Sequence, residues 1–149
     1  MKNQTNSQAA TVYDQAKEHF LGKFPSELPI EQAYLHIGIY IGWMIENHLY
    51  SEFFLDESEI QMFRFQNRQI SCTVLSEIWD GHLGPDMFNK EGNDFSEDYY
   101  LIGDYVDDYI ATLCKSYPTM YHVEDSWENY DLMKKKIDER FQEWKKDNA

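Results

Sequence analysis

The sequence predicts an all-α fold: a single-domain bundle of five or six helices packed around a buried central helix. Three observations carry that expectation. Residues 29–50 are apolar on nearly every side at helical spacing. Ile30, Ala33, Tyr34, Ile37, Ile41, Met44, Ile45 and His48 form one row, and Leu35, Ile39, Trp43 and Tyr50 a second. Farther on, Phe95, Tyr99, Ile102, Val106, Tyr109, Ile110, Leu113 and Tyr117 form a long amphipathic stripe. Third, the one strand-like run, Ile70-Ser71-Cys72-Thr73-Val74-Leu75, has no second run to pair with.

Taken in order, residues 1–10 are polar and read as a flexible N-terminal segment, leaving 11–149 as the single helical domain. Residues 12–21 predict a short helix with Ala16, His19 and Phe20 on its inner side, ended by Gly22. Pro29 suits the first position of the central helix, and Glu31 favours its dipole. Gly38 and Gly42, four apart, share a face that lets a neighbouring backbone approach. Asp56 and Glu59 have capping-box spacing, which predicts a helix burying Ile60, Phe63 and Phe53. Residues 68–79 contain β-branched residues, yet Ile70, Val74, Leu75 and Ile78 fit helical spacing, so a helix is expected. Asp80-Gly81 is a stop and 81–93 a loop. Asp94 with Glu97 then opens the long stripe as a second capping box. A last helix starts at Ser126 or Trp127 and buries Tyr130, Met133, Ile137, Phe141 and Trp144.

The formal charge of −14, from 13 basic and 27 acidic residues, argues against nucleic acid or an anionic membrane as partner, because each requires a basic patch. Cys72 and Cys114 lie in apolar segments and read as reduced core thiols. The N-terminus has no hydrophobic run of a secretory signal. The apolar part of 29–50 is shorter than the roughly 20 residues of a membrane span and contains His36. A soluble cytoplasmic protein is expected.

The acidity is uneven. Residues 91–125 hold nine acids and one lysine, a net −8. A run of charge is ordinarily a solvated helix face. With interleaved tyrosines it also describes a surface that steers a basic protein partner, and the residues expected to form it are Asp98, Tyr100, Asp104, Tyr105, Asp107, Asp108, Glu124 and Asp125.

Catalytic signatures are missing. The sequence has no Glu-x-x-His pair, no His-Glu-x-x-His run, no Gly-x-Ser-x-Gly elbow and no phosphate or dinucleotide loop. No catalytic residue, metal site or cofactor is therefore expected. His36 reads as a hydrogen-bonded core histidine. The competing reading is a ligand pocket formed by His36, Trp43 and His122.

Four fragments, YDQAKEHFLGKFPSELP, HIGIYIGWMIENHLYSE, EGNDFSEDYYLIGDYVDDY and YHVEDSWENYD with FQEW, resemble a family of small bacterial proteins known as a domain of unknown function. The resemblance runs from Tyr13 to Trp144. Its most specific pieces are His36-Ile37-Gly38 with Trp43, Gly92-Asn93-x-Phe95, and Tyr121-His122-Val123-Glu124-Asp125. It carries no catalytic residues. It is similar in kind to acidic proteins encoded beside secreted toxins. The expectation is an immunity protein that neutralises a basic toxin domain; the alternative is a small enzyme or ligand-binding protein using His36 and His122.

Overall fold

The computed structural model describes residues 12–149, so the expected flexible segment 1–10 lies outside the described residues. In chain order the elements are β1 (Asp14–Gln15), α1 (Ala16–Leu21), α2 (Leu35–Glu46), α3 (Glu52–Gln66), α4 (Cys72–Ile78), β2 (His82–Leu83), α5 (Lys90–Tyr99), α6 (Asp104–Leu113) and α7 (Trp127–Asp147). Short 3-10 turns span Ile30–Ala33, Pro85–Met87 and Met120–His122. β1 and β2 pair antiparallel, Asp14 opposite Leu83 and Gln15 opposite His82.

Every residue from Leu35 to Ile45 is buried. A helix apolar on all sides must be enclosed on all sides, and α3, α4 and α7 pack against α2. The closest approach is at Gly38, where an added Cβ would stand 1.9 Å from the carbonyl oxygen of Cys72. At Gly42 the Phe65 ring takes the place of a side chain, 2.5 Å from a Cβ position. α2 ends before Tyr50 because His48 adopts the left-handed conformation, φ 56°.

Several expectations are corrected. The central helix starts at Leu35 and not at Pro29, which precedes a separate 3-10 turn at Ile30–Ala33. The segment 12–21 is helical only from Ala16; Asp14–Gln15 is extended and pairs with β2. In α3 the cap is Ser51, whose hydroxyl accepts from the Phe54 amide, and not Asp56. The buried row of α3 is Phe54, Ser58, Met62 and Phe65, which leaves Phe53, Ile60 and Phe63 exposed. The helix carries two apolar rows, and packing selects the one whose serine is satisfied by the Trp79 indole at 3.0 Å.

The long stripe is two helices. α5 is capped by Asn89, which accepts from the Gly92 amide, and ends at Tyr99. Gly103, at φ 99°, turns the chain into α6 and puts Ile102 in solvent. This break raises the count to seven α-helices among the described residues. Residues 68–79 form helix α4 as expected, capped by Ser71, and α7 buries Tyr130, Met133, Ile137 and Phe141. Both cysteines are free thiols, Cys72 buried and Cys114 half-buried. Among the described residues no helix is long and apolar enough to cross a membrane.

Candidate functional site

The turn at Gly103 brings the end of α5 beside the start of α6, and α7 lies across both. A groove of about 360 Å³ opens there, lined by Asp98, Asp104, Asp107 and Asp108 with Glu143 and Asp147 of α7. Phe95, Tyr99 and Trp144 supply its apolar lining. Asp104 and Asp107 occupy the first turn of α6, where the helix dipole favours negative charge.

Among the described residues of the lining the one cation, Arg140, is committed. Its Nε and Nη2 donate to Asp108 Oδ2 and Oδ1 at 2.8 and 3.0 Å, and the Tyr99 hydroxyl donates to the same Oδ2 at 2.7 Å. Burial alone pushes the Asp108 carboxyl up. The bonds from Arg140 and Tyr99 outweigh it and hold the pKa below the ordinary aspartate range. Trp144 Nε1 donates to Asp98 at 2.8 Å, a neutral contact that leaves the carboxylate charge in place. Arg140 Nη1 also donates to Glu143 Oε1 at 3.4 Å, so the groove presents Asp98, Asp104, Asp107 and Asp147 as carboxylates not paired with its lining cation. Its chemistry is reception of positive charge over an aromatic floor.

The expected partner residues divide accordingly. Asp98, Asp104 and Asp107 are exposed in the groove, and Asp108 is at its inner wall. Glu124 is exposed elsewhere, and Asp125 accepts from the Thr73 amide at 3.4 Å. Tyr100 and Tyr105 are buried and present no side chain to a partner. The residues that counting acids by segment could not reach are Arg140, Glu143, Trp144 and Asp147, because their helix is electrically balanced in sequence.

A second polar cluster lies inside. The β1–β2 pairing fixes Asp14 over α2, and α1 turns His19 back toward it. Asp14 Oδ1 meets His19 Nε2 at 2.7 Å, and Asp14 Oδ2 meets His36 Nε2 at 3.0 Å. The two Nε2 atoms are 3.3 Å apart. The Tyr100 hydroxyl makes a short hydrogen bond to Asp14 Oδ2, and Tyr121 OH lies 2.5 Å from His19 Nδ1. The Tyr105 hydroxyl donates to the His36 carbonyl at 2.6 Å. Gln32 clamps the Tyr121 turn by donating to the carbonyls of Tyr121 and Val123.

Burial raises the pKa of Asp14, but hydrogen bonds from His19 and His36 overcome it and place the carboxyl far below its usual range. His36 is buried, and desolvation pushes its pKa down against the pull of Asp14. Asp14, His19 and His36 are the group of three donor side chains, among the described residues, placed to hold a metal ion.

The expected pocket of His36, Trp43 and His122 is not assembled in this way. His122 bonds Thr119 at 2.8 Å and Glu27 at 3.0 Å, while its neighbour Tyr121 reaches the His36 cluster. Trp43 is a core residue whose indole donates to Asp138 at 2.8 Å. Sequence reading did not identify Asp14, His19 and Tyr121 as site residues. No periodic spacing links them, since they belong to a strand, a helix and a distant 3-10 turn.

No curated protein and no solved structure matches this chain. A family model matches residues 12–123, a span that holds the whole Asp14 cluster and the α5–α6 side of the groove. The chain belongs to the family described as Domain of unknown function (DUF7832).

Proposed function

We propose that the protein is a binding protein, not an enzyme, and that it receives a basic protein partner in the α5–α6–α7 groove. The observation that carries this reading is the groove itself: among the described residues six carboxylates line it against one guanidinium, and that guanidinium is already paired with Asp108 and Glu143. A cationic partner side chain entering there meets uncompensated negative charge and a tryptophan, the combination that anchors lysine and arginine. The specific form of the proposal is immunity. The partner is a toxin domain with a basic active-site cleft, bound and occluded inside the cell that makes both. The net charge of −14 supports rapid encounter, since steering of this kind raises association rates by roughly 10–1000-fold at low salt.

The test is binding of the full chain to the product of the adjacent gene, at about 0.01 M and about 1 M salt, where the Debye length is roughly 30 and 3 Å. The expected result is a complex that associates faster at low salt and is weakened by Asp98→Asn, Asp104→Asn and Asp107→Asn together. A complex indifferent to all three substitutions places the interface elsewhere. No complex at either salt removes the immunity reading.

A further inference from the structure

We propose that Asp14, His19 and His36 form a binding site for a divalent first-row transition metal, zinc in the first instance, with a fourth coordination position open toward solvent. The site is separate from the groove and stands independently of the partner reading.

The distances are those of a coordination shell. With Zn–N of about 2.0–2.1 Å, two ligands of a tetrahedral ion are about 3.3–3.4 Å apart. The Nε2 atoms of His19 and His36 are separated by 3.3 Å. Asp14 Oδ1 and Oδ2 stand 2.7 and 3.0 Å from those nitrogens, so the carboxylate withdraws by only a few tenths of an ångström to admit an ion. Two imidazoles and one carboxylate are the donor set that zinc and its neighbours take. Calcium and magnesium prefer shells made of oxygen.

The surroundings of the ligands favour coordination as well. For His19 to bind through Nε2 its proton must sit on Nδ1, and the Tyr121 hydroxyl at 2.5 Å is there to accept it. The Tyr100 hydroxyl fixes the Asp14 carboxylate, and Tyr105 fixes the α2 backbone at His36. Burial disfavours the charged imidazolium at His36, and the neutral ring is the form that ligates. His36 closes the inner side, while the Asp14 and His19 side chains remain 11% and 21% exposed. A cleft of about 200 Å³, lined by Val12, Tyr13, Asp14, Gln15 and Glu18, adjoins Asp14 on the outside. Three protein ligands with one accessible flank are the pattern of a site that keeps a water or an exchangeable ligand.

The experiment uses the full chain, stripped with a chelator and titrated with Zn²⁺ by calorimetry and with Co²⁺ by visible absorption. One equivalent is expected to bind with a dissociation constant of about 1 μM or tighter, with the intense Co²⁺ bands of a four-coordinate centre. His19→Ala, at a partly exposed position, should weaken binding by at least about 100-fold, and Tyr121→Phe by about 10-fold. His48→Ala, an exposed histidine outside the cluster, should change nothing. Zinc should also shift the imidazole ¹⁵N resonances of His19 and His36 in the unaltered protein, a readout that needs no variant to fold. Absence of saturable binding up to about 1 mM overturns the proposal. So does binding that leaves those resonances in place, which assigns the metal to surface histidines.

Discussion

Two consecutive tyrosines at the end of α5 serve two different aspartates. The Tyr99 hydroxyl donates to Asp108 in the acidic groove, and the Tyr100 hydroxyl to Asp14 in the buried cluster. Both carboxylates are held below the ordinary aspartate range, but by different partners. Asp108 is paired with an arginine, which keeps its charge at any working pH, so that corner of the groove is fixed and its remaining acids face solvent. Asp14 is surrounded by two histidines, whose nitrogens can carry a proton or a metal. The difference separates a surface that presents charge from a centre that can take up a cation. It also separates two origins in the chain: the Asp14 cluster lies wholly within residues 12–123, whereas Arg140, Glu143, Trp144 and Asp147 of the groove lie beyond them.

The largest expected effect breaks both regions together. Gly38→Ala drives a methyl group into the Cys72 carbonyl where α4 crosses α2, and α2 is the helix that carries His36. Neither atom belongs to a flexible side chain, so the backbones must part. A loss of about 3 kcal/mol or outright failure to fold is expected in urea denaturation. Unchanged stability would mean that the two helices do not cross there.

Next is Asp14→Ala, which strips two histidines and a tyrosine of their common acceptor. A loss of about 2–3 kcal/mol is expected by the same measurement. In the groove, Asp104→Ala removes an exposed carboxylate and should stay within about 0.5 kcal/mol. Equal effects at the two positions would erase the distinction between centre and surface.

Asp108→Asn falls between them, at about 1 kcal/mol, because Arg140 is 40% exposed and water screens the pair. The sign with pH follows from the lowered carboxyl. Its contribution is complete above the ordinary value of 3.8 and is lost as pH falls through the lower folded-state value. The difference in melting temperature between the parent and Asp108→Asn should therefore shrink in acid. A gap that widened below pH 3.8 would contradict the pairing.

Within the Asp14 cluster a smaller effect on stability than that of Asp14→Ala is expected from Tyr121→Phe, about 0.5–1.5 kcal/mol for one hydrogen bond, read from the denaturation midpoint. That modest figure sets it apart from its larger expected effect on metal affinity.

What the sequence made legible follows the same division. α2 was readable because a helix buried on every side needs no choice of phase. α3 was not: Phe53, Ile60 and Phe63 form as good an apolar row as Phe54, Met62 and Phe65, and tertiary contacts decide between them, Phe54 and Ser58 against Trp79 and Phe65 against Gly42 and Tyr130. The break at Gly103 was hidden because the apolar spacing continues through it. Counting charge found Asp98, Asp104 and Asp107, since exposure and acidity go together there. It misplaced Tyr100 and Tyr105, whose neighbours in sequence are acids but whose neighbours in space are Asp14, Tyr40 and the His36 carbonyl. The Asp14 cluster was not legible as a site, because its histidines stand 5 and 22 residues from the aspartate across a strand–helix junction.

Whether the groove's unpaired carboxylates meet a basic protein is decided by the association rate with the adjacent gene's product as a function of salt. Electrostatic steering gives a steep fall in rate from about 0.01 M to about 1 M salt, and a much shallower one once Asp98, Asp104 and Asp107 are asparagines. A rate independent of salt, or the same slope with and without those three carboxylates, would contradict it.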